Sequence, residues 1–250
     1  MEHLAGEVPC PGCAVNRHLD LEGCFNSRDL GGLPTAEGRR TAVGAVIRSD
    51  SLHRLTARGW SALWDHGVRT VVDMRNADEH QPDAAPRPRG LETLSLPLAP
   101  STPMKPWSIG GQGTPLYYRR FLERFPQLTA RVVRAVARAA PGGIVVHCVA
   151  GRDRTGLVSL LLLALAGVSS ADIAHDYALS EERLAGLYAA AGEPDRRNEL
   201  EAPLRRAGIT AAAAVAGAVA SLDPVAHLRA GGLTDVEIEA ARMRLTGRLC

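Results

Sequence analysis

Residues 157–168, LVSLLLLALAGV, are apolar on every side of any helix they form. The run is shorter than the ~20 residues needed to cross a bilayer, so protein must cover it all round: it is a core helix. Directly before it comes IVVHC (144–148), a β-branched run that reads as a buried strand, and between the two lies the short turn VAGRDRT. A buried strand feeding a buried helix calls for a sheet with helices packed on it.

The rest of the chain supplies those elements. GAVIRS (44–49), VRTVVDM (68–74) and LETLSLPL (91–98) read as strands. Thr56 caps a helix that ends at Gly67, and a helical pattern runs from Leu116 to Ala140 with a break near Pro126. Beyond Ser169 nearly everything reads as helix, interrupted around Gly192–Pro194, Gly208 and Gly231–Gly232. The expectation is a three-layer α/β fold with a mostly parallel central sheet flanked by helices and a helical C-terminal portion. Residues 1–20 read as a flexible lead and 21–250 as a single domain. Residues 99–115, rich in Pro, Gly and Ser, are a long loop, and loops of that length in a compact domain are usually functional. That loop and 176–207 are candidates for a lid.

Composition narrows the function. With 46% hydrophobic residues among 250 the chain can build a sizeable core. A net charge of +2 without a basic block, and 4% aromatics, argue against a nucleic-acid partner. Lys105 is the one lysine, so amine nucleophile chemistry is nearly excluded, whereas guanidinium groups for binding anions are plentiful. The five cysteines are scattered and form no disulfide framework. Cys10-Pro-Gly-Cys13 lacks a second Cys or His pair at metal spacing, so neither a metal nor a cofactor is expected. No apolar leader precedes the domain, and a cytoplasmic protein without stable membrane insertion is expected.

The turn after IVVHC carries the chemistry. The backbone amides of Val149, Ala150, Gly151, Arg152, Asp153 and Arg154 can wrap around one point at a helix N-terminus, a nest suited to a tetrahedral dianion. Gly151 allows the tight turn, and Arg154 can fork two donors onto two oxygens. The same positive surroundings favour Cys148 as a thiolate, a nucleophile aimed at phosphorus. The bland alternative is a structural cysteine beside a helix cap, but packing alone does not call for two arginines and an aspartate.

HCVAGRDRTG (147–156) resembles the phosphate-binding loop of the protein tyrosine phosphatase superfamily. More narrowly, it is similar to the bacterial tyrosine-phosphatase-like family whose loop reads His-Cys-x-Ala-Gly-Lys-Asp-Arg-Thr-Gly. FNSRDLGG (25–32), VIRSDSLHRLT (46–56), VVDMRNADEH (71–80), HDYALSEERL (175–184) and GLTDVEIEAARMRL (232–245) carry the resemblance over most of the chain from about residue 24. It implies metal-free hydrolysis of a phosphorylated protein or a small phosphomonoester through a phosphocysteine at Cys148. Arg154 would bind the transferred phosphoryl oxygens. Thr155 is placed either to hydrogen-bond the cysteine sulfur or to serve as an ordinary helix-start hydroxyl.

The proton for the leaving oxygen has two candidate sources, Asp153 and Asp73, with Asp176 further out; for Asp73 an ion-pair role with an arginine is equally open. His147 reads as a strand-end residue bonded to the loop backbone. Arg28, Asp29 and Arg48 read as ion-pair support for the active face. Arg152 stands where the family has lysine, and its planar group would meet a second phosphate or an inositol ring differently. Trp107, Tyr117 and Tyr118 are candidates for an aromatic clamp. The competing readings are a small phosphorylated metabolite or nucleotide as substrate, and a phosphate-binding adaptor without turnover. Sulfur transfer or arsenate reduction is disfavoured by the Asp-Arg-Thr-Gly ending.

Overall fold

Parallel strands buried on both faces need a helical cover on each side, and the strands at 46–49, 68–73 and 143–147 are of that kind. The computed structural model describes residues 17–99 and 114–247. Its sheet contains β1 (Arg28–Asp29), β2 (Val46–Ser49), β3 (Val68–Asp73), β4 (Glu92–Ser95) and β5 (Gly143–His147), in the spatial order β1-β2-β5-β3-β4. β1 pairs antiparallel with β2, and every other pairing is parallel. His147 stands in register with Ser49 on one side and Asp73 on the other. Three strands therefore finish together, and residue 148 begins in the crevice beyond their carboxyl ends, the usual place for a ligand in such a sheet.

Alternation along the strands divides the core in two. Val46, Val72, Ile144 and Val146 face one apolar cluster, while Ile47, Val71 and Val145 face the other with Trp60 and Leu63 of α1 (Ala57–Asp65). The remaining helices are α2 (Tyr118–Arg124), α3 (Pro126–Arg138), α4 (Asp153–Leu165), α5 (Ser170–Ala191), α6 (Arg197–Arg206), α7 (Ala211–Ala220), α8 (Pro224–Ala230) and α9 (Asp235–Thr246); all but α6, which packs on α5, contribute to the first cluster. α4 lies innermost, touching β2, β5, α3, α5, α7, α8 and α9, so beyond its first two residues it is almost entirely covered by protein. That position explains its lack of a polar face.

Local signals set the helix ends. The hydroxyls of Thr56, Ser169, Thr210 and Thr234 each accept an N–H from the first turn of α1, α5, α7 and α9. Pro126 opens α3, and Gly192 closes α5 at φ +65°. The break between α7 and α8, where Asp223 caps and Pro224 begins the new helix, was not foreseen. Contacts also begin earlier than the expected lead of 1–20 allows: Arg17 pairs with Asp176 at 2.8 Å and His18 bridges Arg28. The Cys10–Cys13 pair, Lys105, Trp107 and most of the 99–115 loop lie outside the described residues. In the 176–207 stretch, Asp176, Tyr177, Ser180, Leu184 and Leu187 are buried in α5, so its first half belongs to the frame. Among the described residues no single helix is long and apolar enough to cross a membrane.

Leu161 sits at the centre of α4 and is fully buried. Leu161→Ala should lower unfolding stability by about 2–5 kcal/mol in urea titrations. A loss below about 1 kcal/mol would show that α4 is not the middle of the core.

Candidate active site

The turn from Cys148 to Arg152 is gripped by its carbonyls. His147 Nδ1 lies 3.2 Å from Cys148 O, Ser51 N–H donates to Val149 O at 2.9 Å, Asn26 Nδ2 to Ala150 O at 2.9 Å, and Arg48 Nη2 to Gly151 O at 2.8 Å. All peptide bonds in the described chain are trans. In a trans peptide the N–H of the next residue points opposite to the carbonyl. Holding these carbonyls from the protein side therefore turns the N–H groups of Val149, Ala150, Gly151 and Arg152 away from the protein frame. Gly151 has φ +67°, and a Cβ there would stand 2.6 Å from Asp50 N and Ser49 O. Only glycine lets the loop lie this close to β2.

Inside the turn Cys148 is 3% exposed, and the Thr155 hydroxyl donates to its sulfur at 3.1 Å. Of the two readings of Thr155, the structure shows the bond to sulfur. Arg154 is braced end-on by Glu79, with Nη1 to Oε2 at 2.5 Å and Nη2 to Oε1 at 2.7 Å, and Nη1 also reaches Met74 O at 3.3 Å. A guanidinium has five N–H donors. These contacts use both on Nη1 and one on Nη2, leaving Nε–H and the second Nη2–H, which share one edge and form a fork for two oxygens. Glu79 is itself fixed by a capping box, accepting the Asn76 N–H at 2.7 Å. Burial would raise the Glu79 carboxyl, but the Arg154 pair holds it below the ordinary range. Burial would likewise weaken the charge on Arg154, and Glu79 and the nearby Cys148 sulfur more than offset that.

Behind the loop lies a buried charge cluster. Asp176, 1% exposed, receives Arg28 Nε at 3.1 Å, Arg48 Nη1 at 2.6 Å and Arg17 Nη1 at 2.8 Å. Arg28 also donates to Asn26 Oδ1 at 2.8 Å and to Ser180 Oγ at 3.0 Å. Burial alone would push Asp176 up, but the three guanidiniums hold it far below the ordinary carboxylate range. It is an anchor and has no proton to give. Asp29 accepts the N–H groups of Gly31 and Gly44, both at 2.7 Å, and pairs with His66 at 3.0 Å.

The two aspartates proposed as proton donors stand in opposite surroundings. Asp73 accepts Arg75 Nη2 at 2.7 Å, Nε at 3.0 Å and the Arg75 backbone N–H at 3.0 Å. Burial raises its carboxyl, but Arg75 and then His147 bring it below the ordinary range. Arg75 in turn donates to Ser51 Oγ at 2.8 Å, so this pair supports the residue that grips Val149. Asp153, the first residue of α4, has its carboxyl pushed up by burial despite the opposing charges of Arg152 and Arg154. The Tyr177 hydroxyl approaches its Oδ1 at 3.4 Å, and the Tyr118 hydroxyl holds its carbonyl at 2.8 Å. Burial brings His147 down to about 4, so it is neutral at physiological pH, with Nδ1 carrying the proton toward Cys148 O.

Arg152 is turned inward. Its side chain is 1% exposed, 5.5 Å over the Tyr177 ring and 3.9 Å from Glu181. Tyr118 is buried edge-on against Tyr177 at 6.1 Å and cannot clamp a substrate ring.

The tyrosine phosphatase family model matches residues 19–247. The chain belongs to the tyrosine phosphatase family, and it is a cysteine-dependent phosphoric monoester hydrolase acting on a phosphorylated substrate. It is 33% identical over 186 residues, 71% of this chain and 68% of the relative, to a candidate tyrosine-protein phosphatase of Cupriavidus necator. It is 34% identical over 160 residues to a tyrosine-protein phosphatase of Nostoc commune, covering 59% of this chain and 53% of that one. The triple specificity protein phosphatase PtpB of Mycobacterium tuberculosis is 30% identical over 207 residues, 70% and 73% of the two chains.

Several residues that position the phosphatase loop were not singled out in the sequence, Asn26, Ser51, Glu79 and Tyr177, and Tyr118 has a different place from the clamp expected of it. For Glu79 a signal existed, since Asn76-Ala-Asp-Glu79 has capping-box spacing. Nothing in the sequence pointed Glu79 at Arg154.

Asp176→Asn should cost about 3–5 kcal/mol in chemical denaturation, because three buried guanidiniums lose their counter-charge. Asp176, Asp73 and Glu79 all have depressed folded-state values. Their stabilisation is therefore complete above the unfolded carboxyl value of about 4 and is lost as pH falls below it. The Asn variant should show a shallower loss of stability in acid than the parent protein. An equally steep acid limb would refute the assignment.

Proposed function

We propose that this phosphatase removes phosphate from phosphotyrosyl residues of proteins through a phosphocysteine at Cys148. The observation that carries the reading is the Thr155 hydroxyl on the Cys148 sulfur within a loop gripped by its carbonyls. A thiolate at that point attacks phosphorus while the amides of Val149, Ala150, Gly151 and Arg152 and the free fork of Arg154 take the phosphoryl oxygens. The bond from phosphorus to the phenolic oxygen breaks, and Asp153 donates a proton to the departing oxygen. Water then attacks phosphorus and returns a proton to Asp153. The phosphorus–sulfur bond breaks, and the sulfur leaves as a thiolate stabilised by Thr155. The scheme uses no metal or cofactor.

The division of labour between the aspartates follows from solvation. A general acid has to carry a proton near neutral pH, and burial favours that at Asp153. Asp73, paired with Arg75, is held as a carboxylate and serves as loop support. The two relatives named as tyrosine-protein phosphatases support a phosphotyrosyl substrate. A catalytic thiol works in a reducing compartment, and we place the enzyme in the cytoplasm on that ground. Recovery of the activity in a membrane or exported fraction of cells would overturn that placement.

The protein in EDTA should hydrolyse p-nitrophenyl phosphate, and Cys148→Ser should lower the rate by about three orders of magnitude or more while circular dichroism is unchanged. Vanadate binding without turnover on any phosphomonoester would instead establish a binding protein. Asp153→Asn should lower kcat on phenyl phosphate by about 10²–10⁴-fold and much less on a substrate with a better leaving group. If Asp73→Asn showed that dependence and Asp153→Asn did not, the roles would be reversed. Rates on phosphotyrosine and phosphoserine peptides, nucleotides and sugar phosphates decide the substrate class.

A further inference from the structure

The buried guanidinium of Arg152 has no part in the reaction above, although it belongs to the phosphate loop. It lies between two carboxylates. Its Nη1 is 3.4 Å from Asp153 Oδ1 and its Nη2 is 3.9 Å from Glu181 Oε1. The Arg152 side chain is 1% exposed, whereas those of Asp153 and Glu181 are 21% and 33% exposed. Tyr177, one α5 turn before Glu181, stands under the guanidinium and also reaches Asp153. A line of groups, Glu181–Arg152–Asp153, thus runs from the half-exposed flank of α5 to the first residue of α4.

A cation beside a general acid favours the ionised form, which has no proton to donate. Arg152, Arg154 and Arg48 all act on Asp153 in that sense, with the hydroxyls of Tyr118 and Tyr177 completing its surroundings. Glu181 on the far side of Arg152 works against that pull as an anion, held in that form by Arg152 although burial and the facing Glu201 of α6 raise its carboxyl. We infer that Glu181 is a positioning residue for the reaction, holding the Arg152 guanidinium away from Asp153 and sharing its charge so that Asp153 keeps the leaving-group proton. The inference rests on Asp153 being the general acid. It also gives Arg152 an internal task in place of contact with a second phosphate on the substrate.

The test is the alkaline limb of the pH profile of kcat/KM on phenyl phosphate, which follows the protonated acid. Glu181→Gln should move that limb to lower pH by about half a unit to one unit, and Arg152→Met should move it upward by a similar amount. Glu181→Asp should restore most of the parent position. In the Arg152→Met background, adding Glu181→Gln should have little further effect, because the group through which it acts is gone. A merely structural role would lower rates without moving the limb. If Asp153→Asn abolishes the limb but Glu181→Gln and Arg152→Met leave it in place, the Glu181 inference fails and the acid assignment stands. If the limb survives in Asp153→Asn, the acid assignment is wrong and the inference falls with it. Should Arg152→Met fail to fold, the Glu181→Gln and Glu181→Asp pair decides alone.

Discussion

Asp176 is the charge on which the active face depends. Three arginines reach it in a space with almost no water, and two of them, Arg28 and Arg48, are at most 1% exposed. A guanidinium cannot escape the desolvation cost by releasing its proton, so each one left there needs an anion or several carbonyls. The structure supplies both, and one of those carbonyls belongs to Gly151 of the phosphate loop. The network that neutralises the arginines also orients the loop. Three cations thus converge on one carboxylate behind the loop. Burial and the nearby Arg48 accordingly weaken the proton affinity of Arg28. Guanidiniums gathered behind the loop favour a phosphate dianion in front.

The same logic, with the signs changed, separates the aspartates of the site. Asp176 and Asp73 are each paired with arginine at 2.6–2.8 Å and are held ionised. Asp153 instead stands 3.4 Å from Arg152, which also faces Glu181, and 3.4 Å from the Tyr177 hydroxyl. Residue type is identical in all three. Burial, distance to a guanidinium and the number of competing partners set the direction in which each carboxyl is moved, upward for Asp153 and downward for Asp73 and Asp176.

The fold enters through β5 and α4. β5 is central in the sheet and α4 is buried among the helices, so the turn between them joins two elements held by packing on several sides. A loop whose N–H groups must converge within fractions of an ångström gains from such anchoring. The side supports come from more distant segments. Ser51 and Arg75 brace one flank, Asn26 and Arg48 the other, and Glu79 sets the edge that Arg154 presents.

What the sequence determined by itself is what depends on neighbours along the chain. The strand at 143–147, the turn with its glycine, the nucleophile and the following helix are local, and their hydrogen-bond needs and apolar patterns were legible without coordinates. The helix caps at Thr56 and the break at Pro126 were legible for the same reason. The parallel sheet followed from β-branched runs alternating with helices. What only the tertiary structure decided are pairings between residues remote in sequence: Arg48 with Asp176, Arg154 with Glu79, Ser51 with Val149. A carboxylate's proton affinity depends on which cation reaches it and how much water remains, and neither quantity is written in its flanking residues. That is why Asp73 and Asp153 stood level in the sequence and why the folded chain separates them.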